Sequence, residues 1–215
     1  MNILKPFQRP VLLFFLAVWG VLLPGCVHLQ KNFPDIKTYC LNTSSGEHAV
    51  YAGPAISVRL NPILAVSQFA DRYLTYRTGE MRYESDFYNQ LMASPAVMIK
   101  DQAEGWLKGS PPIEFVLPAD VATNPYYSID GKLLEFYGDY RRSDEPKAVL
   151  KIEWTVSESG PEGRKMLFQR VYPGSISIPG TLPRFLVAGW NQVLAKILAE
   201  FEGDLRTLAE KSKSK

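Results

Sequence analysis

The side chains that most often carry catalysis are scarce in this chain of 215 residues. It has two histidines, His28 and His48, and two cysteines, Cys26 and Cys40. Neither histidine accompanies a nucleophile motif such as Gly-x-Ser-x-Gly, which disfavours a hydrolase of the Ser-His-Asp type. The same four residues cannot supply a spaced tetrahedral zinc set, and phosphate-binding loops and dinucleotide fingerprints are missing. The sequence therefore predicts no metal, no cofactor and no enzymatic activity.

Paired carboxylates are the other route to acid–base chemistry. Asp71 with Glu80, and Glu84 with Asp86, are the candidate pairs. The favoured interpretation of all four is that they are solvated side chains at the edges of strands and loops. No catalytic residue is predicted from them.

Cys26 is the one residue whose surroundings indicate a specific reaction. It follows Leu23-Pro24-Gly25 at the end of an apolar run over residues 11–23. That run is too short to cross a bilayer, which needs roughly 20 residues, so residues 1–25 are predicted to be a signal peptide. The cysteine, with a small residue before it and leucine three positions before it, resembles the lipobox of bacterial lipoproteins, whose thiol takes a diacylglycerol and becomes the mature N-terminus. The alternative is an ordinary secretory signal, with Cys26 as a free or disulfide-bonded thiol.

The charge balance of the mature chain bears on its partners. Removing residues 1–25 leaves 190 residues (215 minus 25), and the loss of Lys5 and Arg9 leaves 22 basic residues (24 minus 2) against 22 acidic ones. A chain near neutrality without a basic cluster gives no case for nucleic-acid binding. Acylation of Cys26, with palmitate as one of the acyl chains, would anchor the protein in a membrane. Val27 is not the aspartate that retains many lipoproteins in the inner membrane, which favours the outer membrane, facing the periplasm.

Alternation of apolar and polar residues predicts strands through much of the mature chain. In residues 148–156, for example, Leu150, Ile152 and Trp154 face one way and Lys151 and Glu153 the other. The predicted strands and the hairpin lie at residues 38–41, 55–60, 73–84 (the hairpin), 114–117, 131–141, 148–156 and 166–172. Turn residues between the last three strands favour an antiparallel meander.

Two helices are predicted. Ser94-Pro95 opens the first, over residues 95–108, with the serine hydroxyl able to accept a backbone hydrogen bond and Gly109 placed to end the helix. The second starts near Leu182 and carries one apolar stripe, formed by Leu186, Trp190, Val193, Ile197, Phe201, Leu205 and Leu208.

Two ion pairs are expected on the solvated flank of the second helix. Lys196 with Glu200, and Glu202 with Arg206, are spaced i,i+4. Together the elements predict an α+β fold: a two-layer domain with a mostly antiparallel sheet and two main helices on one face, a central helix and a long C-terminal helix. The predicted organisation is a signal peptide over residues 1–25, a lipidated tether over 26–36, one domain over 37–211 and a basic tail over 212–215.

Several segments in fixed order carry a family resemblance. They are Tyr73-Leu74-Thr75-Tyr76-Arg77-Thr78-Gly79-Glu80, Glu84-Ser85-Asp86-Phe87-Tyr88-Asn89, Ser94-Pro95-Ala96, Trp106-Leu107, Gly131, Phe136-Tyr137-Gly138-Asp139-Tyr140, residues 148–154 and Ala188-Gly189-Trp190-Asn191. In this order they resemble the ABC-type transport auxiliary lipoproteins. The likeness covers essentially the whole mature chain.

This resemblance implies a non-enzymatic outer-membrane lipoprotein that assists intermembrane transport of phospholipid or other hydrophobic cargo. The implied partners are the membrane through acylated Cys26, a periplasmic protein with mammalian-cell-entry domains, and an inner-membrane ABC permease and ATPase; a homo-oligomer is also open. The family has no catalytic residues to transfer. The alternative function is a lipoprotein chaperone or structural element for assembly of an outer-membrane channel or secretion complex, because fold alone does not decide between the two.

Overall fold

The last three strands form an antiparallel meander. A computed structural model describes residues 35–43, 48, 50–118, 127–160 and 163–212; the predicted signal peptide, Cys26, most of the tether and the last three residues of the tail lie outside these. Strands β7 (Tyr127–Asp139), β8 (Lys147–Gly160) and β9 (Gly163–Ser177) pair in sequence order, which confirms the predicted meander. The apolar residues that alternate along β8 are buried as expected.

Three short strands share the other edge of β7. They are β2 (Ile56–Leu60), β3 (Leu64–Ala65) and β4 (Tyr73–Arg77), and each runs parallel to β7, in the registers Val58↔Tyr127, Leu64↔Lys132 and Tyr76↔Gly138. Outside them lie three further strands: β1 (Lys37–Tyr39), β5 (Tyr83–Leu91) and β6 (Ile113–Val116).

In the part of the chain that the structure describes, the nine strands make one mixed sheet. The antiparallel pairings are β4–β5, β7–β8 and β8–β9, which include the predicted hairpin, whereas β1–β5 and β2–β6 are parallel like the three pairings on β7. The parallel pairings were not predicted, since their partners lie far apart in sequence and leave no local signal.

The long C-terminal helix packs on the meander. This helix, α2, spans Pro183–Ser212 and buries most of the predicted stripe, with Leu208 only partly buried. The Trp190 ring stacks on Phe136 at 3.9 Å between centroids, and Phe201 stacks on Trp154 at 5.1 Å. Successive side chains of a strand point to opposite faces, so Tyr137 faces away from Phe136 and the helix. There Phe69 and Tyr83 cover it.

The central helix lies where it was predicted, but its ends are not capped as predicted. Helix α1 spans Pro95–Gly109 and buries Ile99, Ala103, Trp106 and Leu107. The Ser94 side chain makes no capping hydrogen bond, and Gly109 is not in the left-handed conformation of a terminating glycine. A Cβ at Gly109 would lie 3.1 Å from Nε2 of His48, so the glycine makes room for the histidine ring. The described residues from Asp35 onward form one compact unit with the predicted α+β fold.

Candidate functional site

An irregularity between β4 and β5 creates an exposed aromatic feature on the surface of the domain. Tyr73 is paired with Gln90 and Leu74 with Asp86, so β4 advances one residue where β5 advances four. The intervening residues, Phe87, Tyr88 and Asn89, form a bulge. We call these three residues the aromatic bulge. They belong to one of the segments that carry the family resemblance, and the sequence-predicted hairpin ended before them.

Asp86 holds the aromatic bulge in place. Its Oδ1 accepts hydrogen bonds from the backbone N–H groups of Tyr88, at 3.0 Å, and Asn89, at 3.1 Å. Its Oδ2 accepts from Nδ2 of Asn89 at 2.8 Å and from the Tyr76 hydroxyl at 2.9 Å. The Asp86 carboxylate thus accepts four hydrogen bonds, which are charge-assisted and fix the local backbone. We call Asp86 with these four donors the clamp.

Two stacked tyrosines back the clamp. The rings of Tyr76 and Tyr140 lie 5.0 Å apart and nearly parallel, and the Tyr140 hydroxyl donates to the carbonyl of Thr181 at 3.3 Å. Burial, followed by the hydrogen bond to Asp86, raises the pKa of Tyr76 well above its usual range. Burial, followed by the charge of Asp86, raises the pKa of Tyr140 to about 12. Both phenols therefore stay protonated at neutral pH and act as hydrogen-bond donors rather than bases.

The first two side chains of the bulge face solvent. Phe87 is 64 % exposed and Tyr88 49 % exposed. The Phe87 ring makes an edge contact with Tyr73 at 5.1 Å between centroids, so it is oriented although it is not covered. Exposed aromatic side chains on a hydrogen-bonded support are suited to binding a surface rather than to catalysis.

A second polar cluster joins both helices to the segment around His48. The Glu202 carboxylate accepts from Trp106 Nε1 at 2.8 Å and from Arg206 Nη2 at 2.5 Å, and Nδ1 of His48 lies 2.8 Å from it. Burial would raise the pKa of Glu202, but the hydrogen bonds from Arg206, Trp106 and His48 outweigh it and lower the pKa. The expected placement of the Glu202–Arg206 pair on a solvated flank is wrong, since Glu202 is buried. The sequence shows only the i,i+4 spacing of the pair, and that spacing is the same whether the helix position is buried or exposed.

The other sequence candidates lie apart. Glu80 pairs with Arg141 at 3.0 Å and Glu84 with Arg82 at 2.7 Å, whereas Asp71 lies at an exposed bend. The carboxylates of Glu84 and Asp86 thus belong to different hydrogen-bond networks. Cys40 lies just after β1 rather than inside it, is exposed, and places its Sγ 3.8 Å from Sδ of Met92.

The resemblance segment at the start of α2 has a structural role. A Cβ at Gly189 would come within 2.7 Å of both Ala148 and Ile178, so the helix approaches the sheet as closely as only glycine allows. Trp190 Nε1 donates to the carbonyl of Val149 at 3.1 Å. The Asn191 side chain accepts the backbone N–H of Asn42 at 3.0 Å, which ties the chain after β1 to the helix.

An open groove of about 340 Å³ lies beside the C-terminal end of α2. Its walls mix the apolar side chains Phe168 and Leu208 with the ion pair of Arg170 and Asp204. Many of the aromatic residues pack in the core. Among the described residues no cluster of His, Cys, Asp and Glu could hold a metal ion. None of the described helices is both long and apolar enough to cross a membrane.

The fold is that of a known α+β domain. Protein XCC0632 from Xanthomonas campestris, of the family model DUF330, superposes with a TM-score of 0.73 at 12 % identity, covering 83 % of this chain and 100 % of its own. An uncharacterised protein superposes with a TM-score of 0.58 at 14 % identity, covering 80 % of this chain and 97 % of its own. The hypothetical protein CT253 from Chlamydia trachomatis superposes with a TM-score of 0.51 at 12 % identity, covering 70 % of this chain and 98 % of its own. No protein-family model and no curated protein matches the sequence. At these identities the likenesses establish the fold.

Proposed function

We propose that this protein is a non-enzymatic lipoprotein of the outer membrane, facing the periplasm, that assists an ABC and mammalian-cell-entry system in moving phospholipid or other hydrophobic cargo between membranes. Cys26 is the acylated residue that anchors it. The domain acts as a tethered docking or conduit element. It supplies binding rather than chemistry.

One observation carries this proposal: residues from separate resemblance segments meet at one place on the domain. Tyr76 comes from the first segment, Asp86 from the second and Tyr140 from a later one, and the three are linked by a hydrogen bond and a ring stack. Their assembly supports the two exposed aromatic side chains of the bulge. Segments that are separate in sequence thus meet in one structure, which supports a common role in binding.

The anchor is tested by replacing Cys26 with serine. Metabolic labelling with palmitate and membrane fractionation should show label and membrane retention in the parent, and an unlabelled, mislocalised precursor in the Cys26→Ser variant. Cys40→Ser is the matched control, since it also removes a thiol but leaves the lipobox intact. Unchanged labelling of the Cys26→Ser variant would contradict the lipoprotein assignment.

The transport role is tested in membranes. Crosslinking followed by pull-down should recover a periplasmic subunit with mammalian-cell-entry domains, and the contact should persist at moderate salt because the mature chain is near neutral. Deletion of the protein should increase detergent sensitivity and outer-leaflet phospholipid. Recovery of only a β-barrel assembly or secretin component, with lipid distribution unchanged, would favour the assembly-chaperone alternative.

A further inference from the structure

We propose that the aromatic bulge is a membrane contact: the side chains of Phe87 and Tyr88 enter the headgroup region of the bilayer to which Cys26 is anchored. This inference rests on the proposed lipid anchor. It assigns a direction to the domain, with the end that carries the bulge against the bilayer.

The strand register places the bulge beside the point where the tether enters the domain. β1 runs parallel to β5, with Lys37 opposite Asn89. The pairing begins at these two residues, so Ile36 and Tyr88 are the residues that directly precede it on the two strands. Ile36, one residue before β1, is 60 % exposed and adds a third apolar side chain at this end.

The length of the tether allows the contact. Lys37 is 11 residues after Cys26 (37 minus 26). Fully extended, these residues reach at most about 40 Å, and every more compact conformation brings the start of β1 closer to the anchor. Of the domain's surfaces, the one that adjoins Lys37 needs the least tether to reach the bilayer.

The chemistry of the bulge fits a bilayer interface. Tyrosine and tryptophan concentrate at the headgroup level, where an apolar body and a polar tip are both accommodated. Phenylalanine is among the apolar side chains that bury at the boundary between headgroups and acyl chains. Asp35 and Lys37 flank Ile36, and both are exposed, so these two opposite charges balance each other. A balanced, aromatic surface favours a lipid interface and does not require anionic lipid. Because Asp86 already fixes the bulge, little conformational entropy is lost when it binds.

Depth-dependent fluorescence quenching tests the proposal on the full mature, acylated protein. Phe87→Trp introduces a probe. The native tryptophans of the domain, Trp106, Trp154 and Trp190, are buried, so the lipid bromines do not reach them, and their constant emission is subtracted with the parent protein. The protein is reconstituted in vesicles of phosphatidylethanolamine and phosphatidylglycerol that contain lipids brominated near the headgroup. Phe115→Trp is the control, because Phe115 is 57 % exposed but lies on β6, at the other side of β7 from β5 and β1.

In brominated vesicles the tryptophan added by Phe87→Trp should lose emission, and its emission should lie to the blue of that in the Phe115→Trp protein. The emission that Phe115→Trp adds should be the same with and without brominated lipid. Tyr88→Trp is a second probe of the same surface, should Phe87→Trp fail to fold. Retention on vesicles with no extra quenching at either bulge position, or with equal quenching at Phe115→Trp, would overturn the membrane contact and leave the anchor standing. If the emission of the bulge tryptophan shifts to the blue only when another protein binds, and not on vesicles alone, the membrane contact would be overturned in favour of a protein partner. Loss of all variants from the vesicles would overturn the anchor and the contact together.

Discussion

Trp106 and Glu202 form a buried hydrogen bond that connects the two helices. The indole Nε1 of Trp106 lies 2.8 Å from the carboxylate, and Glu202 is 4 % exposed. Removing the carboxylate leaves the indole, the Arg206 guanidinium and the His48 ring without their shared acceptor. Glu202→Leu should therefore lower the free energy of unfolding by about 3–5 kcal/mol, as when one member of a buried charged pair is lost. Urea unfolding of the chain from residue 27 onward would measure it. Glu200→Leu, on an exposed position of the same helix, is the control, and an equal loss there would contradict the prediction.

Trp190→Ala should destabilise the domain by about 3–5 kcal/mol, the range for truncating a large buried aromatic residue. Trp190 is fully buried, stacks on Phe136 and donates to Val149. Trp190→Phe keeps an aromatic ring and should cost less. Thermal unfolding distinguishes the two variants, and a Tm for Trp190→Ala within a degree of the parent would show that the stripe does not depend on this residue.

Two glycines of α2 should respond in opposite directions to alanine. Gly189→Ala puts a Cβ within 2.7 Å of Ala148 and Ile178 and should destabilise by about 1–3 kcal/mol, as overpacking does. A Cβ at Gly203 would meet nothing within 4 Å, so Gly203→Ala should stabilise by up to about 1 kcal/mol through its higher helix propensity. Parallel denaturant curves of the two variants provide the comparison, and shifts of the same sign would be the contrary result.

Asp86→Ala should loosen the aromatic bulge. The variant loses the acceptor of four hydrogen bonds, and a loss of about 1 kcal/mol in local stability would raise the rate of cleavage by chymotrypsin after Phe87 and Tyr88 roughly fivefold. Glu84→Ala, two residues earlier on the same strand, tests whether any loss of charge has this effect. Cleavage that rises equally in both variants would show that Asp86 does not fix the bulge.

Stability should fall at alkaline pH. The pKa of Tyr140 is raised from its usual value of 10 to about 12 in the folded protein. A raised pKa means that the neutral phenol is favoured by folding, so this contribution is complete below about pH 10 and is lost as pH rises toward 12. Tyr140→Phe should flatten the decline in the free energy of unfolding between pH 10 and 12, and Tyr88→Phe, at an exposed position, should retain it. An unchanged decline in Tyr140→Phe would assign the effect to other groups.

The elements were largely predictable because their signals are local. Leu150, Ile152, Trp154 and Val156 alternate along β8, and the stripe of α2 repeats every three or four residues, so each pattern states which face is buried. The parallel pairing of β2, β3 and β4 with β7 has no such local signal, since residues about sixty or more positions apart become neighbours.

The Glu202 cluster and the aromatic bulge with Asp86 were not predicted from the sequence, for different reasons. Glu202 carries an ordinary helix-surface spacing, and only its tertiary neighbours make it buried. The aromatic bulge had a usable signal in Asp86 and Asn89, since an aspartate that accepts backbone N–H groups two and three residues later is typical of a turn. That turn interrupts the regular alternation of β5, and therefore the strand was predicted too short.

From the shared edge of β7 we expect an order of folding. β2, β3 and β4 precede β7 in the chain, yet each needs β7 as its hydrogen-bonding neighbour, in registers that join Val58 to Tyr127 and Tyr76 to Gly138. The meander of β7, β8 and β9 needs only local closures, which cost less chain entropy than these long ones. On the proposed export from the N-terminus, the first half of the domain would therefore wait, with the strand edges that pair with β7 still open, until the second half arrives. Under the proposed lipid anchor, the protein would be exposed to aggregation and proteolysis while its anchor end is already across the membrane, and chaperones of that compartment would protect it most in that interval.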